Sequence, residues 1–269
     1  MSVCNMESID EAAYRIIDVN EGNIDEHDIF CLKSKKNTDG YKNKVKWVKK
    51  RFKEGLRLKL LLINEGPQRG FTSRGFIEYI PGKYTWRGID AKGYMVIHCF
   101  WVVGKNKKHG YGTMLLEECL NDAKRMNGVA VVTSEQPWLT SKTFFLKHGF
   151  RLVQKAPPYF ELLVKQLKDA PPPKFNDGRE EHVAKYGSGL AVLYSDQCPY
   201  INGAISYISA TAKKHSIPLR LVKFDDCAQA QSAPAPYGVF SLLYDGKFIS
   251  HRPGLPAKLL RQILEGKMN

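Results

Sequence analysis

Residues 101–128 read WVVGKNKKHGYGTMLLEECLNDAKRMNG: an apolar strand, a basic turn carrying glycines, then a helix. This order restricts the fold more than any other stretch of the chain. Gly110 and Gly112 let the backbone come close to a ligand, and the amides from Lys108 to Thr113 precede any intrahelical carbonyl, so they point outward at the positive end of the helix dipole. An anion such as phosphate suits that arrangement. Leu116, Cys119, Leu120 and Ala123 follow at the spacing of one buried helical face, and Gly128 stands at the expected C-terminal cap. The spacing excludes two other phosphate loops. A Walker A loop needs Gly-Lys-Ser/Thr five residues after its first glycine, which Gly104 lacks, and a dinucleotide fingerprint needs a glycine where Leu115 stands.

What remains, Lys107-x-x-Gly110-x-Gly112 directly after an apolar strand, resembles the coenzyme A pyrophosphate loop of the GNAT family of N-acetyltransferases. Lys107 replaces that family's usual Arg or Gln. Downstream, 129–132 reads as a buried parallel strand and 141–148 as a short helix stopped by Gly149-Phe150, with another strand after it. A helix ending in Lys147-x-Gly149-Phe150 is similar to the same family's second hallmark. The resemblance spans residues 1–167 and is to the YoaP-like type, which carries an extra C-terminal domain.

The resemblance implies an α/β (α+β) acyltransferase fold whose mixed sheet splays apart to admit a pantetheine arm. It implies acetyl-CoA as cosubstrate, with no metal. The coenzyme would lie on Lys107, Lys108, His109, Gly110, Tyr111, Gly112 and Thr113, after Trp101, Val102 and Val103. By the motif's offset, the backbones of Val102 and Val103 would bond the pantetheine and polarise the thioester carbonyl. The acceptor would be a small-molecule amine or a protein amine, deprotonated by a base. Some members place a glutamate on the central strand, and Val96 stands there in this chain. His98, two residues on and on the same strand face, is the expected substitute, with Glu78 and Glu135 as further carboxylates. The family's tyrosine acid is replaced by Phe145, leaving Tyr159 as the expected donor to the sulfur.

The chain has 269 residues and 43% hydrophobic content, enough for two ordinary domain cores. The stretch 168–189, with three consecutive prolines followed by polar residues and glycines, reads as a linker between domains 1–167 and 190–269. Six cysteines form no C-x-x-C pair, so neither a zinc site nor a disulfide framework is expected, and a cytoplasmic setting fits. The start is acidic rather than signal-like, and the longest apolar run, 95–103, is too short to span a bilayer. The formal charge of +14 is uneven: 33–59 holds twelve Lys or Arg against two acids. Val45, Val48 and Phe52 fall at i, i+3 and i+7, which makes 41–55 an amphipathic helix with a solvated basic face rather than a nucleic-acid site. The loop 83–93 offers Tyr84, Trp86, Arg87 and Asp90 as side chains that reach a substrate.

In the C-terminal part, strands are expected at 190–194, 218–224, 239–244 and 248–251, with helices at 201–215 and 255–264 and a hairpin turn at Asp245-Gly246. Cys198-Pro199 between the first strand and first helix resembles a thioredoxin-like domain. Ile201 stands where that family's second active-site cysteine falls, and Pro234 or Pro236 is expected to supply its cis proline. A cysteine ahead of a helix N-terminus is expected to be a low-pKa, reactive thiol, with Cys227 as a partner able to resolve an oxidised form. Three functions therefore compete: an acetyl-CoA-dependent N-acetyltransferase, a thiol-based redox or thiol-recognising protein centred on Cys198, and a non-catalytic acyl-CoA-binding regulator.

Overall fold

The computed structural model describes residues 13–107, 109–178, 183, 185–254, 260 and 262. Lys108, Cys4 and most of the helix expected at 255–264 lie outside them. β1 (Tyr14–Val19) leads to α1 (Asp39–Phe52), and β2 (Arg57–Asn64) and β3 (Phe71–Pro81) follow as a hairpin. A two-residue strand, β4 (Ile89–Asp90), precedes the long β5 (Tyr94–Val102). Next come α2 (Tyr111–Asp122), β6 (Gly128–Thr133), α3 (Lys142–Lys147), β7 (Arg151–Ala156) and β8 (Phe160–Gln166). The strands form one seven-stranded mixed sheet in the order β1-β2-β3-β5-β6-β8-β7.

The parallel pair β5/β6 sets the site. Its register runs from Tyr94↔Gly128 to Ile97↔Val131 and stops there, although β5 continues to Val102. β6 meanwhile pairs with β8 along its whole length. The two strands therefore part after four residue pairs, which is the expected splay. Gly128 opens β6 rather than capping α2, which ends at Asp122 with Ala123 as its cap. A Cβ on Gly128 would lie 2.3 Å from the Lys165 carbonyl oxygen, so glycine is what lets β8 approach.

The proline-rich stretch is not a free tether. Its β9 (Lys174–Phe175) pairs with β4, Phe175 is buried, and the Phe175 amide donates to Gln154 Oε1 at 2.7 Å. The second sheet, in the order β11-β10-β12-β13, is built from β10 (Leu190–Tyr194), β11 (Leu219–Lys223), β12 (Phe240–Tyr244) and β13 (Lys247–Ser250). α4 (Ile201–Lys214) connects the parallel pair β10/β11, and α5 (Cys227–Gln231) follows β11. Asp245 and Gly246, both at positive φ, turn the β12–β13 hairpin. Among the described residues the one cis peptide bond joins Pro157 to Pro158, so neither Pro234 nor Pro236 fills the expected cis position.

The two sheets share buried side chains. One cluster joins Val96, Val132 and Phe160 to Val192, Tyr237 and Val239, and another joins Trp47 and Val48 to Ala191 and Leu193. Among the described residues no helix is long and apolar enough to cross a membrane, and no group of three or more His, Cys, Asp or Glu is placed to hold a metal ion.

Candidate functional site

Past the end of β5, Gly110 precedes α2 at φ 77°, a conformation glycine adopts without strain. The Met114 amide donates to the Gly110 carbonyl at 3.1 Å, so the amides of Tyr111, Gly112 and Thr113 lie in the first turn, ahead of any intrahelical acceptor. Gly112 has its own reason to be glycine: a Cβ there would meet Phe144 and Phe100 at 3.2 and 3.3 Å. The Thr113 hydroxyl is engaged by His148 Nε2 at 2.9 Å. The Lys107 ammonium sits 4.6 Å from the ring centroid of Trp101, which is half exposed, and the His109 ring lies 6.1 Å from that of Tyr111. The loop residues named from the sequence, Lys108 apart, thus lie together at the end of β5.

Of the two strand positions expected to meet the thioester, only Val102 has a free amide. The Val103 N–H donates to the Arg74 carbonyl at 2.8 Å, so Val103 is spent on β3. Antiparallel partners alternate between bonded and non-bonded pairs, so at the neighbouring pair, Gly75↔Val102, the Val102 N–H turns away from β3 and toward the gap. The Phe100 carbonyl, of the same parity, accepts from Thr140 Oγ1 at 3.3 Å.

The gap opens into a cavity of about 530 Å³. Ile97, His98, Val131 and Val132 line it from the splayed strands, Phe30, Cys31 and Lys44 from the β1–β2 connection, and Gln197, Cys198, Tyr200 and Tyr237 from the C-terminal unit. Below it lies a closed polar network. Glu78, fully buried on β3, is ion-paired with Lys44 of α1 and accepts from Gln197 Nε2 at 2.9 Å. Burial opposes its charge, but Lys44 and then His98 outweigh that and hold its carboxyl well below the usual range. Arg87, also buried, donates to Gln197 Oε1 at 2.9 Å, to the Tyr237 carbonyl at 3.0 Å and to the His98 carbonyl. Arg87 and the buried Trp86 therefore tie the two units together instead of reaching a substrate as expected.

His98 is corrected by this network. Its Nε2 accepts the Trp86 amide at 3.1 Å and lies 3.1 Å from Thr85 Oγ1, while Nδ1 stands 3.7 Å from Glu78 Oε1. The lone pair that a base needs is already occupied. Burial, opposed by Glu78, pushes the imidazole pKa down to about 4, so it is neutral at pH 7.

Cys198 lines the cavity together with Cys31 and Cys99. Burial overrides the helix terminus and pushes its thiol up to about 11, and Cys99 rises to about 12 for the same reason. These are protonated thiols, the opposite of the low-pKa nucleophile that a redox centre needs. Cys227 is not with them; burial and then Glu54 raise its pKa, in a different neighbourhood.

The remaining expected catalytic groups lie off the cavity. Glu135 is exposed on the loop after β6, 3.4 Å from the Ser141 hydroxyl. The Tyr159 hydroxyl is bonded to His251 Nδ1 at 2.9 Å, and burial raises its pKa. Phe145 is fully buried among Phe100, Phe144 and Phe150. Sequence reasoning missed Lys44, Gln197, Trp138, Tyr200 and Tyr237. Lys44 had one usable signal, since Trp47 and Val48 follow it at i+3 and i+4, on the face that α1 buries.

A family model described as YoaP-like matches residues 218–261. The protein named "Uncharacterized N-acetyltransferase YoaP" of Bacillus subtilis strain 168 is 31% identical over 243 residues, covering 87% of this chain and 92% of that protein. Among solved structures, an acetyltransferase of the GNAT family from Staphylococcus aureus aligns at TM-score 0.42 and 16% identity, over 58% of this chain and 100% of the other. An acetyltransferase from Thermus thermophilus aligns at TM-score 0.40 and 15% identity, over 58% and 97%.

Proposed function

The chain belongs to the YoaP-like N-acetyltransferases, and from that premise we propose that it moves the acetyl group of acetyl-CoA onto a primary amine held in the cavity between its two sheets. One observation carries this reading: the break in β5/β6 pairing after Ile97↔Val131 leaves Phe100 and Trp101, just ahead of the glycine loop and the start of α2, lining that cavity. Pyrophosphate oxygens suit the amides of His109 to Thr113 and the Lys107 ammonium. The Val102 N–H is the donor aimed at the carbonyl oxygen as it becomes an oxyanion.

The amine nitrogen forms the N–C bond, the C–S bond breaks, and the proton lost by nitrogen ends on the departing sulfur. Neither His98 nor Tyr159 takes part in that transfer, because each is committed to another partner. We further propose that the C-terminal unit is thioredoxin-like in connectivity and serves as a wall of the acceptor site rather than as a redox centre, since its Cys198 thiol is held protonated.

Isothermal titration of the full-length protein with acetyl-CoA, followed by free-thiol release over an amine panel, tests the reading. Binding with amine-dependent thiol release is expected. Binding without release for any amine would leave an acyl-CoA-binding protein, and no binding would remove the proposal altogether.

A further inference from the structure

We propose that the acceptor is a primary amine on an uncharged aromatic body, without a carboxylate, a phosphate or a second ammonium. The proposal rests on the acetyl-transfer reading above and specifies its acceptor.

The walls of the cavity include rings from both units among aliphatic side chains. Phe30 stacks on Phe76 at 4.7 Å between centroids, and Trp138, on the loop after β6, meets Tyr200 of the C-terminal unit edge to face at 5.5 Å. Trp138 and Tyr200 are 39% and 41% exposed, so this pair stands at the mouth, with Phe76 buried inside. Offset and edge contacts of this kind favour a ring as the guest.

Charge narrows the choice further. Among the described lining residues Lys44 is the one fully charged side chain, and its ammonium is already paired with Glu78. Glu78 in turn is satisfied on its other oxygen by Gln197, and Arg87, behind the wall, is consumed by Gln197 and three carbonyls. Among the described residues, a carboxylate or phosphate entering here finds no free cation, and a second ammonium finds no free carboxylate. Burying an unpaired ion costs far more than a ring contact returns. The same low polarity acts on the reacting nitrogen: the cavity admits the neutral amine in preference to the ammonium, so binding itself accomplishes the deprotonation for which the network offers no base.

The test uses the full-length protein, saturating acetyl-CoA and matched amines. 2-Phenylethylamine and phenylalanine share a body and differ by the carboxylate, and putrescine carries a second ammonium in place of the ring. The expected kcat/KM for 2-phenylethylamine exceeds those of phenylalanine and putrescine by about 10²-fold or more, because each of the latter two buries an unpaired charge. Tyr200→Ala and Trp138→Ala each raise the KM for 2-phenylethylamine several-fold with a smaller change in kcat. Turnover of phenylalanine or putrescine within a few-fold of 2-phenylethylamine overturns the acceptor class and leaves acetyl transfer standing. Acetyl-CoA binding without turnover of 2-phenylethylamine, tryptamine or benzylamine also overturns it. Failure to bind acetyl-CoA removes the transferase reading and this proposal together.

Discussion

The two ends of the site are built by opposite means. The donor end is a contiguous stretch, 101–113, in which a strand, a turn and the start of a helix present backbone amides, so its chemistry depends on glycines and hydrogen-bond parity more than on side chains. The acceptor end is assembled from β3, β5, β6, the β1–β2 connection and the C-terminal unit, and its character comes from what those side chains neutralise in one another. Local backbone grammar fixes the first, and long-range packing fixes the second. If that contrast is correct, donor-end changes abolish binding and spare the fold, while acceptor-floor changes act first on stability.

The largest expected effect is at Gly110. Gly110→Asp places a carboxylate at a positive φ of 77° beside the amides, while no heavy atom lies within 4 Å of where its Cβ would be. Acetyl-CoA affinity is expected to fall by at least about 10²-fold, with the circular dichroism spectrum retained and Tm lowered by only a few degrees. Parent-like titration of acetyl-CoA by this variant would place the donor site elsewhere and erase the contrast.

At the acceptor floor, Glu78→Ala leaves Lys44 buried without its counter-ion. Breaking a buried pair from one side costs about 3–5 kcal/mol, so urea unfolding should show a loss of that order. A loss under about 1 kcal/mol would mean that water already reaches the pair. The thiols give a kinetic counterpart. With Cys198 pushed up to about 11 by burial, its alkylation by iodoacetamide at pH 7.5 is expected to be about 10²-fold slower than that of a free cysteine. Labelling faster than a free cysteine, with an apparent pKa well below about 8.5, would restore the redox reading.

The difference between the two ends also explains how far the sequence could be read. Strands at 129–132 and 190–194 and the turn at Asp245-Gly246 were legible because period and turn chemistry are local. The helix start after Gly110 was legible because glycine spacing is local too. Hydrogen-bond parity was not, and it separates Val102 from Val103: the motif offset named both, but one of them bonds Arg74. Lys44 sits in a helix crowded with lysines and reads as solvated, yet Glu78, thirty-four residues away, draws it inside. Gln197 is 119 residues from Glu78, and nothing near either one in sequence announces the other. His98 was correctly placed on the strand facing the site, but Trp86 and Thr85 claim its nitrogen, and they come from a loop that reads in sequence as free to meet a substrate.

The smallest effect is an absence, and it discriminates sharply. Buried neutral with a pKa near 4, His98 binds its proton less well folded than unfolded, where an ordinary histidine titrates near 6.5. The unfolded chain therefore holds more protons between those values, and the stability due to His98 is fully present above about pH 6.5 and is lost as pH falls toward 4. His251, lowered to about 4 mainly by burial, adds to the same window, so Tm should fall across it. The catalytic profile behaves differently. A histidine base would give kcat/KM an inflection near 6.5, whereas an amine neutralised by entry into an apolar cavity makes kcat/KM rise about tenfold per pH unit until the free amine's own pKa. Over pH 6 to 9, where the fold is intact, the slope is expected to stay near one with no break at 6.5. His98→Gln is expected to lower Tm without adding or removing an inflection. A break near 6.5 that disappears in His98→Gln would return the histidine to the role of base and make the acceptor end, like the donor end, readable from a single strand.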